Sequence, residues 1–183
     1  DLDGYLALAG AGGFPEPALR LTGRARAAWL DSYVEHAVTR DVAAAGQASV
    51  LAKQSGASRT SPILRGNWIM EVLLGERSPR PPKDVPPLAA DEATESLTVR
   101  QLVEKHKSDP RCSGCHARFD PYGYTLERYD AIGARRDKDL GNRPINDRAT
   151  LRGGVDVQGM EGLRDYILTK GRDAFIRQFC RKL

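Results

Sequence analysis

The residues best suited to chemistry lie together in the segment Cys112-Ser113-Gly114-Cys115-His116. Two cysteines separated by two residues and followed at once by a histidine are typical of covalent haem attachment. Each thiol would add to one vinyl group of a porphyrin, and the small intervening residues let both sulfurs face the same ring edge. The adjoining imidazole can reach the iron as an axial ligand. The pattern therefore predicts covalently bound haem c, held by Cys112 and Cys115, with His116 as the proximal iron ligand.

Zinc binding and thiol redox chemistry are the alternative interpretations of the two cysteines. A structural zinc site needs a second pair of ligands, and Cys180, His36 and His106 include no pair at the usual spacing. A thioredoxin-like site needs a βαβ context, which the flanking sequence does not indicate. A haem-free fold that retains a degenerate motif is a further alternative.

The second axial ligand of the iron is less well defined by the sequence. Met160 is the leading candidate because a thioether ligand raises the potential of a haem iron, although a core or loop position explains this side chain equally well. His106 and Met70 are weaker candidates, and an open position is also consistent with the sequence. Arg135 and Arg136 are candidates for pairing with the haem propionates, since guanidinium groups suit carboxylates.

Composition excludes several classes of protein. The 183 residues are 40% hydrophobic and 28% charged, as expected for an ordinary globular core and not for a disordered chain. No apolar run reaches membrane-spanning length. The net charge is +4, with −2 on residues 1–45 and +6 on the remainder, which favours acidic redox partners. The basic residues are not interleaved with aromatic ones, so no nucleic-acid surface is expected. The chain starts at Asp1, which indicates a fragment and leaves its location open.

Helices are predicted on both sides of a proline-rich segment. Ser61 is a good N-cap and Pro62 suits the first helical position. Five prolines make residues 78–87 an extended, polyproline-like strap. Thr98 opens the next helix, with Gln101 completing a capping box.

The sequence after the motif predicts a turn and then another helix. Asp120-Pro121-Tyr122-Gly123 is turn-like, and Leu126, Tyr129 and Ile132 are spaced as one apolar helical face. A loop or short hairpin is predicted over 137–155, and two closing helices over 162–168 and 173–183.

Most of the chain carries a resemblance to a known family. Arg59-Thr60-Ser61-Pro62, Arg65-Gly66-Asn67-Trp68, the strap, Cys112 to His116 and Asp130-Ala131-Ile132-Gly133 resemble the C-terminal region of secreted cytochrome c-like proteins of Planctomycetes. The resemblance covers about residues 46–183. It implies a periplasmic or extracellular electron-transfer module, working with a redox partner or with adjoining domains of a larger oxidoreductase, and not a complete catalyst. A non-redox interaction or structural module, with haem absent or structural, is the alternative.

Residues 1–43 carry a different resemblance. Gly12-Gly13-Phe14-Pro15-Glu16, Trp29-Leu30, Tyr33 and Thr39-Arg40-Asp41-Val42 resemble a helical segment of prokaryotic AAA-superfamily ATPases. No Walker sequence is present, so ATP binding is not expected. The two resemblances meet near Ala45-Gly46, which leads to the hypothesis that the chain is composite. The predicted fold is mainly α: a helical appendage over 1–45, with a helix from about Arg24 to Thr39, followed over 46–183 by a small cytochrome c-like helical domain with long Pro- and Gly-rich connections.

Overall fold

The computed structural model describes residues 22–25, 28, 31, 32, 35, 48–56, 59–79, 85, 88 and 96–182. The helices are α1 (Ala48–Lys53), α2 (Pro62–Trp68), α3 (Val99–His106), α4 (Pro110–Tyr124), α5 (Gly159–Leu168) and α6 (Arg172–Lys182). A π-helical turn, Ile69–Leu73, continues α2. Strands β1 (Arg148–Leu151) and β2 (Val155–Gln158) form an antiparallel hairpin in which Leu151 pairs with Val155. The predicted mainly α class is confirmed, and the described residues show no specific cytochrome fold.

The N-terminal region is described only in part. The described residues from 23 to 35 are helical, in agreement with the helix predicted over 24–39. Asp31 forms an ion pair with Arg172 of α6. The predicted apolar face around Trp29 and Tyr33 and the junction at Ala45-Gly46 lie outside the described residues. The composite origin of the chain therefore stays a hypothesis.

One apolar core joins the π-helical turn, α4, the hairpin and the two closing helices. Ile69, Val103, Leu163 and Ile167 are completely buried. The buried members of this core are Leu51, Ile69, Leu73, Leu74, Val103, Tyr122, Tyr124, Leu126, Ala149, Leu151, Leu163, Tyr166, Ile167 and Phe175. Burial of these side chains is the main favourable contribution to folding, and it fixes α4 against the rest of the domain.

The predicted start of α2 is confirmed. Ser61 has an extended backbone and its hydroxyl accepts a hydrogen bond from the amide of Leu64, at 3.3 Å, while Pro62 occupies the first turn. The helix changes to π geometry at Ile69 and ends before Gly75, whose φ of +69° suits glycine. A π-helical turn inserted in an α-helix is frequent at functional sites, and this one lies beside the cavity described below.

The capping box of α3 is also confirmed and leads to a prediction. The Thr98 hydroxyl accepts from the Gln101 amide at 3.2 Å, and the Gln101 side chain accepts from the Thr98 amide at 2.9 Å. Thr98→Ala removes one of these bonds, so we expect it to lower the free energy of unfolding by about 1 kcal/mol in urea denaturation. Thr98→Ser keeps the hydroxyl and is the control. An equal loss of unfolding free energy in both variants would show that the hydrogen bond to the Thr98 hydroxyl does not contribute to stability.

The turn predicted at Asp120-Pro121-Tyr122-Gly123 is wrong, because α4 continues through all four residues. Pro121 cannot donate to the carbonyl of Ala117, which weakens the helix locally. The side chains of Tyr122 and Tyr124 are 3% and 2% exposed. Their burial favours the helix over the local turn preference, as tertiary packing commonly does.

The helix predicted over Leu126, Tyr129 and Ile132 is also wrong. The helix ends at Tyr124, turns follow, and Ile132 is 70% exposed while Leu126 is buried. The carbonyls of Leu126 and Tyr129 accept hydrogen bonds from the buried guanidinium of Arg65. Because these carbonyls bond to a distant side chain, the segment folds as turns around that side chain.

The remaining C-terminal predictions are confirmed. The loop or hairpin predicted over 137–155 contains the β1–β2 hairpin, and the two closing helices correspond to α5 and α6. Gly153 and Gly154 have φ of +84° and +74° at the hairpin turn, a conformation that favours glycine. Tyr122 of α4 packs against Tyr166 of α5, with ring centroids 6.0 Å apart, and Leu151 of the hairpin belongs to the same core.

Candidate functional site

Helix α4 carries the whole C-x-x-C-H motif in its first two turns. Asp109 is its N-cap, with the carboxylate accepting from the Arg111 amide at 2.9 Å, and Pro110 follows in the first turn. The Arg111 guanidinium beside Asp109 lowers the pKa of that carboxyl to about 2. Cys112, Cys115 and His116 are thus held on one rigid helix.

The three motif side chains open into one cavity of about 580 Å³, a size within the range of cofactor and ligand sites. Its walls come from α2, the π-helical turn, the end of α3, the start of α4 and the strap. The lining residues are Arg59, Ser61, Ile63, Leu64, Asn67, Glu71, Ser78, Pro79, Val85, Leu88, His106, Arg111, Cys112, Cys115, His116 and Phe119. Most of this surface is apolar, which suits the flat face of a large organic group.

The strap is attached to this wall by hydrogen bonds. The Ser78 hydroxyl donates to the side-chain Oδ1 of Asn67 at 2.6 Å, and the Ser78 backbone amide donates to the Glu71 carboxylate at 3.2 Å. Val85 of the strap and Leu88, the residue that follows the strap, add apolar surface to the cavity. The proline-rich segment predicted as a strap therefore contributes to the site.

A buried carboxylate hydrogen-bonds to the Nδ1 side of His116. Its Nδ1 lies 3.0 Å from both carboxylate oxygens of Asp120, four residues later on the same helix. The Asp120 side chain is fully buried. Burial raises the pKa of the Asp120 carboxyl, and the hydrogen bond from His116 acts in the opposite direction. When Asp120 is ionised, Nδ1 of His116 must be the donor, which leaves Nε2 as a lone-pair ligand for a metal.

Two aromatic rings fix the remaining faces of the imidazole. The Phe119 ring centroid lies 5.0 Å from that of His116, and the His106 centroid lies 5.1 Å away, edge-on at 64°. His116 is 8% exposed. The side chain is therefore packed in a defined orientation beside both cysteines.

The cysteines are free and half-buried. In the parts of the chain that the structure describes, no group of three or more His, Cys, Asp or Glu side chains could hold a metal ion. A metal at this site would take His116 from the chain and most of its other ligands from a bound group. That donor set fits a porphyrin, which brings four nitrogens of its own.

Of the three candidates for the second iron ligand, two lie away from the cavity. Met160, in the first turn of α5, packs against the main core. Met70 is buried within the π-helical turn. Neither lines the cavity, whereas His106 does.

The two arginines suggested for the propionates lie elsewhere as well. Arg136 bonds to the Glu127 carbonyl and to Thr60, and Arg135 is exposed on the bridge that pairs it with Tyr129. The arginines among the residues that line the cavity are Arg59 and Arg111. Sequence reasoning missed these two residues, and it missed Asp120 because it predicted a turn there. The spacing of four between His116 and Asp120 was the available signal.

Fold and site together define a small, mainly helical domain whose C-x-x-C-H motif faces an apolar cavity. Residues 44–139 match the family model PSCyt3, described as Protein of unknown function (DUF1588), and the chain belongs to that family. The match includes α1 to α4 and the complete motif. It does not include residues 1–43, for which the comparisons give no support to an ATPase relationship. No curated protein and no solved structure matches the chain. Among the described helices, none is long and apolar enough to span a membrane.

Proposed function

We propose that this chain is a c-type haem-binding module that transfers single electrons within a larger protein exported to the periplasm or beyond. The observation that carries the proposal is that Cys112, Cys115 and His116 line one cavity of suitable size and polarity. The resemblance of residues 46–183 to secreted cytochrome c-like proteins supports the same function. The positive charge of this region favours an acidic redox partner or adjoining domain.

The residues would share the cofactor as follows. The thiols of Cys112 and Cys115 would each add across one vinyl double bond, with sulfur bonded to carbon and the thiol hydrogen ending on the neighbouring carbon. Nε2 of His116 would bind the iron while Asp120 holds Nδ1. Arg59 and Arg111 give the cavity wall cations that suit carboxylates. Haem, when bound, supplies one-electron exchange between the ferric and ferrous states.

The cavity wall does not assign a second iron ligand. Met160 does not line the cavity. His106 does, but its ring packs directly on that of His116, with centroids 5.1 Å apart, which leaves no room for a porphyrin between the two imidazoles. An open position fits this arrangement better. Substitution of His106 or Met160, read out by the absorption spectrum of the ferric protein, distinguishes these possibilities.

Covalent haem attachment can be tested by producing the full chain together with a haem-attachment system. We expect one haem per chain that survives denaturation and solvent extraction. In the pyridine haemochrome spectrum, Cys112→Ser and Cys115→Ser should each retain one thioether and move the α band to longer wavelength, because one vinyl group stays unsaturated. The double variant should lose all covalent haem.

The third cysteine provides a matched control. Cys180, half-buried on α6, lies away from the cavity, so Cys180→Ser should leave the haem spectrum unchanged. A wild-type protein without haem, or a double variant that keeps covalent haem, would refute the proposal. The first of these results would favour the alternative of a non-redox interaction or structural module.

A further inference from the structure

We propose that Asp120 is a positioning residue that holds His116 in the Nδ1–H tautomer and, once haem is bound, lowers the reduction potential of its iron. The second part of this inference rests on the proposed function, whereas the first part applies to the chain without cofactor. The choice of tautomer depends only on the two side chains on α4. The lower potential is the consequence of that tautomer for an iron bound at Nε2.

The geometry points to a carboxylate dedicated to this imidazole. Both Asp120 oxygens lie 3.0 Å from Nδ1 of His116, and within the described residues the Asp120 side chain hydrogen-bonds to no other group. Asp120 does not line the cavity, so it approaches the ring from the side away from the motif cysteines. If Asp120 only stabilised the fold, both of its oxygens would not need to face the same ring nitrogen.

The spacing on α4 makes the pair rigid. Residues four apart lie one above the other on a helix, and this stretch of α4 is held by the backbone contact of Gly123 with α2. Phe119 packs against the imidazole. His116 therefore cannot turn its Nδ1 toward the cavity without losing both the hydrogen bond and the ring contact.

Burial makes the charge effective. The Asp120 side chain is fully buried, so water cannot screen its interaction with the ring as it would at the surface. A carboxylate that accepts a hydrogen bond from Nδ1–H makes Nε2 more basic and therefore a stronger electron-pair donor to a metal. A stronger donor stabilises the ferric form more than the ferrous form, so reduction becomes less favourable.

Asp120→Asn tests the effect on potential with little change of shape. The amide keeps an oxygen that can accept from Nδ1 but carries no charge. We expect the equilibrium constant for reduction to rise at least tenfold in a spectroelectrochemical titration, equivalent to about 59 mV for a one-electron couple. Asp109→Asn is the matched control: it also removes one negative charge from α4, at a more exposed position, and asparagine is an equally good N-cap. The reduction potential of Asp109→Asn should shift by less than about a third of the shift in Asp120→Asn.

A measurement on the haem-free protein tests the positioning role by itself. Nitrogen-15 NMR of the His116 ring, at a pH where the ring is neutral, should show the proton on Nδ1. Asp120→Leu should shift the proton toward Nε2, while Asp109→Asn should leave it on Nδ1. A proton on Nε2 in the wild type would overturn the positioning role, and equal potential shifts for Asp120→Asn and Asp109→Asn would overturn the tuning role. A wild type that binds no haem would refute the proposed function and the tuning with it, but the tautomer measurement would still decide whether Asp120 positions His116.

Discussion

Replacing Gly66 or Gly123 by alanine is expected to lower the free energy of unfolding by about 3 kcal/mol or more. A Cβ on Gly66 would lie 2.0 Å from the Phe119 carbonyl oxygen, and a Cβ on Gly123 would lie 1.9 Å from that of Pro62. Both obstacles are backbone atoms of the facing helix, so no side chain can move aside. The helices α2 and α4 would have to separate, with loss of packing along their whole contact. Urea denaturation of the haem-free protein measures the effect.

Gly114 provides the control on the same helix. A Cβ there would meet no atom within 4 Å, and alanine is the better helix former by up to about 1 kcal/mol. We therefore expect Gly114→Ala to leave the stability unchanged or to raise it. A loss below about 1 kcal/mol for both Gly66→Ala and Gly123→Ala would mean that the helices are not in backbone contact. Because both substitutions disrupt one crossing, the double variant should lose less than the sum of the two.

The same crossing links the fold to the site. Gly66 is followed by Asn67, which lines the cavity, and it touches the backbone of Phe119, which packs on His116. Separation of α2 and α4 would therefore widen the cavity at the residues that orient the imidazole. The close approach of two glycines thus places the wall formed by α2 against the wall formed by the motif.

Local sequence signals predicted the parts of the fold that depend on neighbouring residues. Ser61 with Pro62, and Thr98 with Gln101, mark helix starts through hydrogen bonds within one turn. The two closing helices follow from apolar spacing, and their buried residues include Leu163 and Ile167 on α5 and Phe175 on α6. In each case the signal itself, a cap or an apolar spacing, lies within a few residues, where sequence reasoning can find it.

The wrong predictions involve partners that are distant in the sequence. The segment at Pro121 has the composition of a turn, but α4 continues there because its tyrosines are buried in a core formed by other elements. The turns after Thr125 form around Arg65, which is about sixty residues earlier. Neither effect leaves a periodic pattern in the local sequence.

The residues of the candidate site likewise include some that were predicted from local spacing and others that were not. The motif residues Cys112, Cys115 and His116 were predicted from their spacing, and the structure places all three on one cavity. Asp120 lies four residues after His116 on α4, a spacing that becomes visible only once the helix is seen to continue there. Arg59 and the strap residues join the site only through tertiary packing. Met160 was chosen for its thioether and its distance from the motif in the sequence, and the structure places it against the main core and away from the cavity lining.

Arg65→Met is expected to destabilise the domain by about 3 to 5 kcal/mol. The Arg65 side chain is 1% exposed, and its guanidinium donates to the carbonyls of Leu126 and Asp130 at 3.0 and 2.7 Å. It also forms an ion pair with the buried Glu127 at 3.6 Å. Methionine has similar length but no donors, so it would leave the buried carbonyls without their donor and would remove one of the cations beside the buried Glu127 carboxylate. Urea denaturation, with Arg135→Met at an exposed position as control, measures the loss.

A double-mutant cycle with Glu127→Gln separates the ion pair from the carbonyl contacts. Glu127 is also bonded to Thr60 at 2.8 Å and lies 3.9 Å from Arg136, so it keeps partners when Arg65 is replaced. If the carbonyl bonds dominate, Arg65→Met should cost nearly the same in the wild type and in the Glu127→Gln background. If the buried charge dominates, the cost should fall by more than about 1 kcal/mol in that background. We expect the first result, because the turns after α4 give their carbonyls to this guanidinium instead of to a helix. A small loss in Arg65→Met itself would show that these turns form without Arg65, and would remove the reason given above for the absence of a helix over Leu126 to Ile132.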